Sequence, residues 1–406
     1  MAGFKDFVVK LIAAIVIVGI ASFWSCFVIA SVLYSMISHG PRKVLYFKNR
    51  KKESAPIHYI AWDEETRKNP GPSTKPWDHA YITVPETRMR FHYVYSGKKP
   101  NNVAISDIDG ETIIVDEPSL AGTKPKLILC LHGFPENWFS WRHVLRYFDN
   151  PPPEVENHFV VAIDLRGYGD SDKPKSSASY HLNNLVSDVR GIAHALGYEK
   201  FVLMGHDWGG MIAFNVAKIY PEILEKCIIL NVPYTKAYYD VLKKNPGQFL
   251  KSWYMFFYQL PFLPEWLFRL SDYRLLGAAF NGNRGGIRNR ENRLTDEELE
   301  VFKYSVRHST SGPINFYRAN VWPFYQPGPT LLYPRIRSQE KPLYGVPILL
   351  IWGNKDAFLT KELADISGKY FNPDNGSKVV FVEGASHWVQ QDAPKEAMKN
   401  IVEFLK

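Results

Sequence analysis

Six short runs of almost unbroken apolar residues most constrain how this chain can fold: 126–131 (KLILCL), 159–165 (FVVAIDL), 201–204 (FVLM), 227–232 (CIILNV), 347–352 (PILLIW) and 378–382 (KVVFV). A strand with one wet face alternates apolar and polar residues. A continuous run fits a strand covered on both faces, as in a mostly parallel sheet. Helical patterns lie between the runs. Leu182, Leu185, Val189, Ile192 and Leu196 recur at three- and four-residue steps, and Gly197 is placed to end that helix. A second helix is expected from Gly209 to Tyr220, stopping before Pro221. Alternating strands and helices make an α/β fold, with its working residues on loops beyond the strand C-termini. From about 237 to 335 the alternation stops, in a stretch rich in aromatics, Arg and Gly. It reads as a helical insertion, whose aromatics either roof a binding site or simply pack the insertion itself.

The N-terminus poses a different constraint. From Leu11 to Ser38 there is no charged side chain and no Pro, a run of 28 residues, against the roughly 20 that cross a bilayer as a helix. The apolar part of a cleaved secretory signal is only about 7–15 residues, so the run reads as an uncleaved anchor. The net charge of +8 belongs mostly to this end: residues 1–52 carry +7 of it, with Lys5, Lys10, Arg42, Lys43, Lys48, Arg50, Lys51 and Lys52 against Asp6. The rest is nearly neutral, so no nucleic-acid-binding face is expected. Six of those cations follow the apolar run closely, and the positive-inside rule then puts the folded domain in the cytosol; the membrane is expected to be of the endoplasmic reticulum type. Three cysteines exclude a disulfide scaffold, and Cys130 and Cys227 read as reduced core residues. The chain divides into a tail (1–10), a transmembrane helix (11–38), a basic and Pro-rich linker (39–76), a first core segment (77–236), a helical cap (237–335) and a second core segment (336–406).

The sharpest chemical signal is Gly205-His206-Asp207-Trp208-Gly209-Gly210, directly after one apolar run and directly before a helix. Small residues two before and two after a central one permit the tight strand-to-helix turn that exposes a nucleophile. Here the centre is Asp207, where a serine hydrolase has Ser, and no G-x-S-x-G occurs elsewhere. Serine attacking a saturated carbon would leave an ether, which water does not readily remove; a carboxylate leaves an ester, which it does. An aspartate nucleophile therefore suits epoxide opening or carbon–halogen cleavage, and at a helix N-terminus it is already ionised. The plainer role for Asp207 is that of a helix cap. His387 follows the last apolar run and Asp356 the one before it, giving the chain order nucleophile, acid, base. In His132-Gly133-Phe134-Pro135, the Phe134 N–H is placed to form an oxyanion hole with the Trp208 N–H.

Together HGFPENWFSWR (132–142), DLRGYGDSDKP (164–174), GHDWGG (205–210) and GASHWVQQDAP (384–394) resemble the epoxide hydrolase branch of the α/β-hydrolase superfamily, over roughly 77–406. With its anchor the chain is most similar to the membrane-anchored, epoxide hydrolase 4-type members. The resemblance implies an α/β-hydrolase fold, a mostly parallel sheet flanked by helices with a helical cap. It implies an Asp207 alkyl-enzyme ester, with His387 as base oriented by Asp356, acting on a small apolar epoxide, lipids among the possibilities. It also implies two cap tyrosines that protonate the epoxide oxygen, matching Tyr317 and Tyr254 with Tyr258 close by, and a cis peptide before Pro135. No cofactor, metal or obligate protein partner is implied; the bilayer is the other expected partner. One departure stands out: between His92-Tyr93-Val94 and Lys126-Leu127, where the family has a short turn, a longer polar stretch (95–125) carries Asp107, Asp109, Glu111, Asp116 and Glu117 and is expected to enlarge a surface loop. Two other readings stay open: a haloalkane or haloacid dehalogenase, and a catalytically silent, membrane-tethered binding protein on the same fold.

Overall fold

The six apolar runs lie side by side in one sheet. A computed structural model describes residues 2–41, 45, 77–98, 100, 104–106, 112–114, 124–321, 343 and 345–406. Within them the strands are β1 (Asp78–Thr83), β2 (Arg90–Gly97), β3 (Ala104–Ser106), β4 (Thr112–Ile114), β5 (Lys126–Leu131), β6 (His158–Ile163), β7 (Phe201–His206), β8 (Leu224–Leu230), β9 (Ile348–Gly353) and β10 (Lys378–Val382). They run in the order β10-β9-β8-β7-β5-β6-β2-β1-β3-β4. From β6 to β10 all neighbours are parallel, while β2, β1, β3 and β4 are added antiparallel.

Why the runs are continuous is visible in where alternate side chains go. Leu127, Leu129 and Leu131 of β5 join one buried cluster with Val161, Ile163 and Leu203, while Ile128 and Cys130 join a second with Val160, Ala162, Val202 and Met204. Successive strand residues point to opposite faces, and both faces are covered, so neither set of positions can be polar. Cys130 and Cys227 are free and buried. The expected helices span Leu182–Ala195 and Trp208–Ile219. Gly197, at φ +80°, closes the first, with the Tyr198 N–H donating to the Ala193 carbonyl as in a left-handed cap.

Between Thr235 and Val321 the described chain is helical: Thr235–Leu242, Pro246–Lys251, Trp253–Phe257, Leu263–Asn281, Asp296–Arg307 and Ser311–Val321. This insertion is the cap, and residues 322–335 lie outside the described residues. So does most of the linker expected at 39–76.

One feature differs from expectation, and a second goes beyond it. The polar stretch 95–125 contributes more than a loop: Ala104–Ser106 and Thr112–Ile114 pair antiparallel and extend the sheet beyond β1. Its sequence held the signal, short apolar runs on either side of Asp109-Gly110, a dipeptide that favours tight hairpins. Its acids Asp107, Asp109, Glu111, Asp116 and Glu117 lie outside the described residues. The N-terminal helix, Ala2–His39, contains a segment, Ile15–Ser38, long and apolar enough to cross a membrane. It packs along the cap helix Trp253–Phe257, with the Trp24 and Trp253 rings 5.7 Å apart.

Candidate active site

Asp207 occupies the turn between β7 and the helix Trp208–Ile219, at φ +48° and ψ −118°. That backbone is unfavourable for a residue with a Cβ, on the order of 1–3 kcal/mol. It is held by the Asp207 N–H donating to the Leu230 carbonyl at 3.2 Å and by the Met211 N–H donating to the Asp207 carbonyl at 2.9 Å. Gly209 has to be glycine, because a Cβ there would collide with the backbone carbonyls of Leu131 and His132. The elbow is thereby pressed against the loop that follows β5.

From that loop the Phe134 N–H donates to Asp207 Oδ1 at 2.9 Å. The Trp208 N–H opens the neighbouring helix, where first-turn amides have no acceptor within the helix. The Phe134–Pro135 peptide is cis. On the other side, His387 Nε2 is 3.5 Å from Asp207 Oδ2, and His387 Nδ1 is 2.7 Å from Asp356 Oδ2. Asp356 is fixed in turn: the Phe358 and Leu359 N–H groups donate to its Oδ1 at 2.8 and 2.9 Å, and Asn231 donates to its Oδ2 at 2.8 Å. The three residues, far apart in the chain, thus form one run of contacts beyond the C-terminal ends of β7, β9 and β10.

Their electrostatics are coupled. Burial pushes the Asp207 carboxyl upward, but His387, His206 and the Phe134 N–H outweigh it and hold it below the ordinary carboxylate value. Burial likewise disfavours charge on His387, yet Asp356 and Asp207 outweigh that and push it up to about 10. The imidazole lies between two carboxyl groups, and this placement favours its protonated form.

Above Asp207 the cap brings down three tyrosines. Tyr317, on Ser311–Val321, has its ring 5.1 Å from those of Trp208 and Phe134, 5.8 Å from Tyr254 and 4.9 Å from Tyr258. Burial first, and then the nearby Asp207 charge, raise all three phenols above their ordinary value. They are kept protonated. The side chains picked from sequence are therefore together, and Tyr258 stands with Tyr254 in the same aromatic box.

A further group was not singled out from sequence. Glu136, fully buried, accepts from the Gly133 N–H at 2.7 Å and lies 2.6 Å from His206 Nδ1. Its other oxygen accepts from Gln390 and Gln391 at 3.2 and 2.9 Å. His206 Nε2 reaches the His387 backbone carbonyl at 2.8 Å. One carboxylate thus joins the Phe134 loop, the elbow and the loop of His387. Its signal was its place inside HGFPE (132–136), where a buried acid has no other obvious use. Asp164 plays a similar role one strand away, taking the Trp138 N–H at 3.1 Å and pairing with His92 at 2.8 Å.

Known proteins are similar to the chain as a whole. The α/β hydrolase fold family matches residues 126–394. Human epoxide hydrolase 4 is 37% identical over 330 residues, 81% of this chain and 79% of the relative. Epoxide hydrolase 1 of Caenorhabditis elegans is 36% identical over 81% of this chain and 70% of its own. The chain belongs to the epoxide hydrolase family. A solved epoxide hydrolase from Bacillus megaterium, in complex with an inhibitor, superposes at a TM-score of 0.62 with 27% identity, covering 80% of this chain and 99% of that one. Within this epoxide hydrolase fold, the aspartate elbow stands where related hydrolases carry serine.

Proposed function

We propose that the chain converts apolar epoxides, lipid epoxides among them, to vicinal diols through a covalent ester on Asp207. The observation that carries this reading is the geometry: an elbow aspartate held by the Phe134 N–H and by His387, facing a box of three cap tyrosines. In the first step an Asp207 oxygen attacks an oxirane carbon from the rear and the carbon–oxygen bond breaks. The alkoxide takes its proton from Tyr317 or from its partner Tyr254. A phenol with an ordinary pKa of ~10 is a suitable acid for an alkoxide and is not lost to ionisation at neutral pH.

Ester formation removes the Asp207 charge, and with it one of the two supports that keep His387 protonated. The imidazolium proton makes good the one the phenol gave up. His387 is left neutral, Nδ1–H on Asp356 and Nε2 free. It then draws a proton from water, which adds to the Asp207 carbonyl carbon. The resulting oxyanion is received by the Phe134 and Trp208 N–H groups; its collapse breaks the bond to the alkyl oxygen, which takes the proton of the newly formed carboxyl, so the diol leaves with Asp207 again a carboxylate and His387 again protonated. The base is thus generated by the step that makes it necessary.

The N-terminal helix would hold this enzyme on the cytosolic side of a membrane of the endoplasmic reticulum type. Supporting that side are the cations of residues 42–52, which follow the helix. The chemical reading is tested by a single turnover in water labelled with oxygen-18. The label is expected in the Asp207 carboxylate and ordinary oxygen in the first diol; label appearing at once in the diol would overturn the ester route.

A further inference from the structure

The N-terminal helix does not stand apart from the domain. Ala21 and Ser25 are buried, and Ile17, Trp24, Val28 and Val32 are half-buried. At three- and four-residue spacing these fall on one stripe of the helix, the stripe that meets Trp253–Phe257. Phe23, Phe27, Leu33 and Ile37, on its other sides, are exposed. Trp24 lies near the middle of the apolar segment, about 21 Å of helix from Ser38. A helix standing upright in a hydrocarbon layer about 30 Å thick would drag the cap deep into it. The exposed Lys243 and Lys244 of the cap would go with it, and ammonium groups belong at the interface.

A second observation comes from the domain surface. Apart from the helix itself and Leu45, the exposed large apolar side chains among the described residues are Tyr239, Leu250, Phe262, Trp266 and Leu275, and all five belong to the cap. Phe262 is 85% exposed. The acids of that stretch are paired within the protein: Asp240 with Lys236, Glu265 with Arg318, and Asp272 with Lys303 and Arg307. Lys243, Lys244 and Arg274 remain as exposed cations. Exposed aromatics among unneutralised cations match the interface of an anionic bilayer.

We propose that the helix and the cap enter the bilayer as one surface, the helix lying along the cap within the membrane interface. Helices that lie in an interface usually keep a polar face toward water; here the cap takes the place of that water, so the helix is apolar all round. The inference rests on the membrane attachment proposed above, with a helix lying in the interface in place of the spanning helix expected from the apolar run.

The test uses the full chain with Cys26→Ser, reconstituted in vesicles of phosphatidylcholine and phosphatidylserine. Trp24→Cys and Trp253→Cys together are expected to join through a short bismaleimide in vesicles as readily as in detergent. A bimane on Phe262→Cys is expected to be quenched several-fold more by nitroxide-labelled lipid than one on Lys378→Cys, at the far edge of the sheet. Absent cross-linking, or equal quenching at the two sites, in protein that floats with the vesicles and turns over a water-soluble epoxide overturns the docked arrangement. Protein that fails to float overturns the membrane attachment itself.

Discussion

The core ties its reactive atoms down with hydrogen bonds, and the cap holds its phenols between rings. Asp356 accepts three hydrogen bonds besides its contact with His387, and Glu136 joins three separate loops. Tyr254, Tyr258 and Tyr317 are placed mainly by the rings of one another and of Phe134 and Trp208, with one side-chain hydrogen bond from Trp208 to Tyr317. The difference follows from the charges each side carries. Buried ions need fixed partners to stay ionised, whereas a neutral phenol costs far less to bury and needs fewer of them. Ring contacts are also shallow, about 0.5–1.5 kcal/mol per pair beyond burial. The cap is therefore the half in which substrate preference is most easily altered.

If this division is right, mutations in the core should abolish steps and mutations in the cap should scale them. The largest effect is expected from Asp207→Asn, a loss of about 10⁴-fold or more in turnover with no ester detected by mass spectrometry, short of deamidation. His387→Gln should leave the first step intact, so the substrate adduct on Asp207 accumulates and is seen as a mass increase of the whole protein. Tyr317→Phe should lower kcat/KM for an epoxide by about 10²-fold, the lower range for one general acid. Unchanged turnover there would point to displacement chemistry that needs no phenol, as in a dehalogenase. Comparing Tyr254→Phe with Tyr258→Phe asks which of the two is the second donor: the loss is expected to be larger for Tyr254.

Smaller effects probe the supports. Glu136→Gln should cost about 1–3 kcal/mol of stability, read from chemical denaturation, because His206 and the Gly133 N–H lose a charged partner. The pH dependence of stability carries the finest signal. His387 has a folded pKa of about 10, above its unfolded value near 6.5. Its contribution is then complete below about pH 6.5 and is lost as pH rises toward 10. The Tm advantage of the wild type over His387→Gln should shrink across that window; a constant gap would mean that Asp356 and Asp207 do not hold the imidazolium.

Much of this was legible one-dimensionally. The elbow around Asp207 is a local device, written in consecutive residues whose sizes dictate a turn, and the apolar runs report two-sided burial directly. His387 and Asp356 could be found because the fold delivers strand ends in a known order. The hairpin in 95–125 was missed because a polar stretch outweighed two apolar runs of three residues. Glu136 was missed for another reason: its partners lie 70 and 254 positions away.

The amino-acid order was enough to establish an α/β sheet, an aspartate where a serine might stand, and an apolar segment able to enter a membrane, because each is a property of adjacent residues or of their period. It took the packed molecule to tie Glu136 to His206, to set Tyr258 beside Tyr254 and Tyr317, and to lay Trp24 against Trp253. Those are relations between distant segments, and such relations exist only once burial has brought the segments to one place.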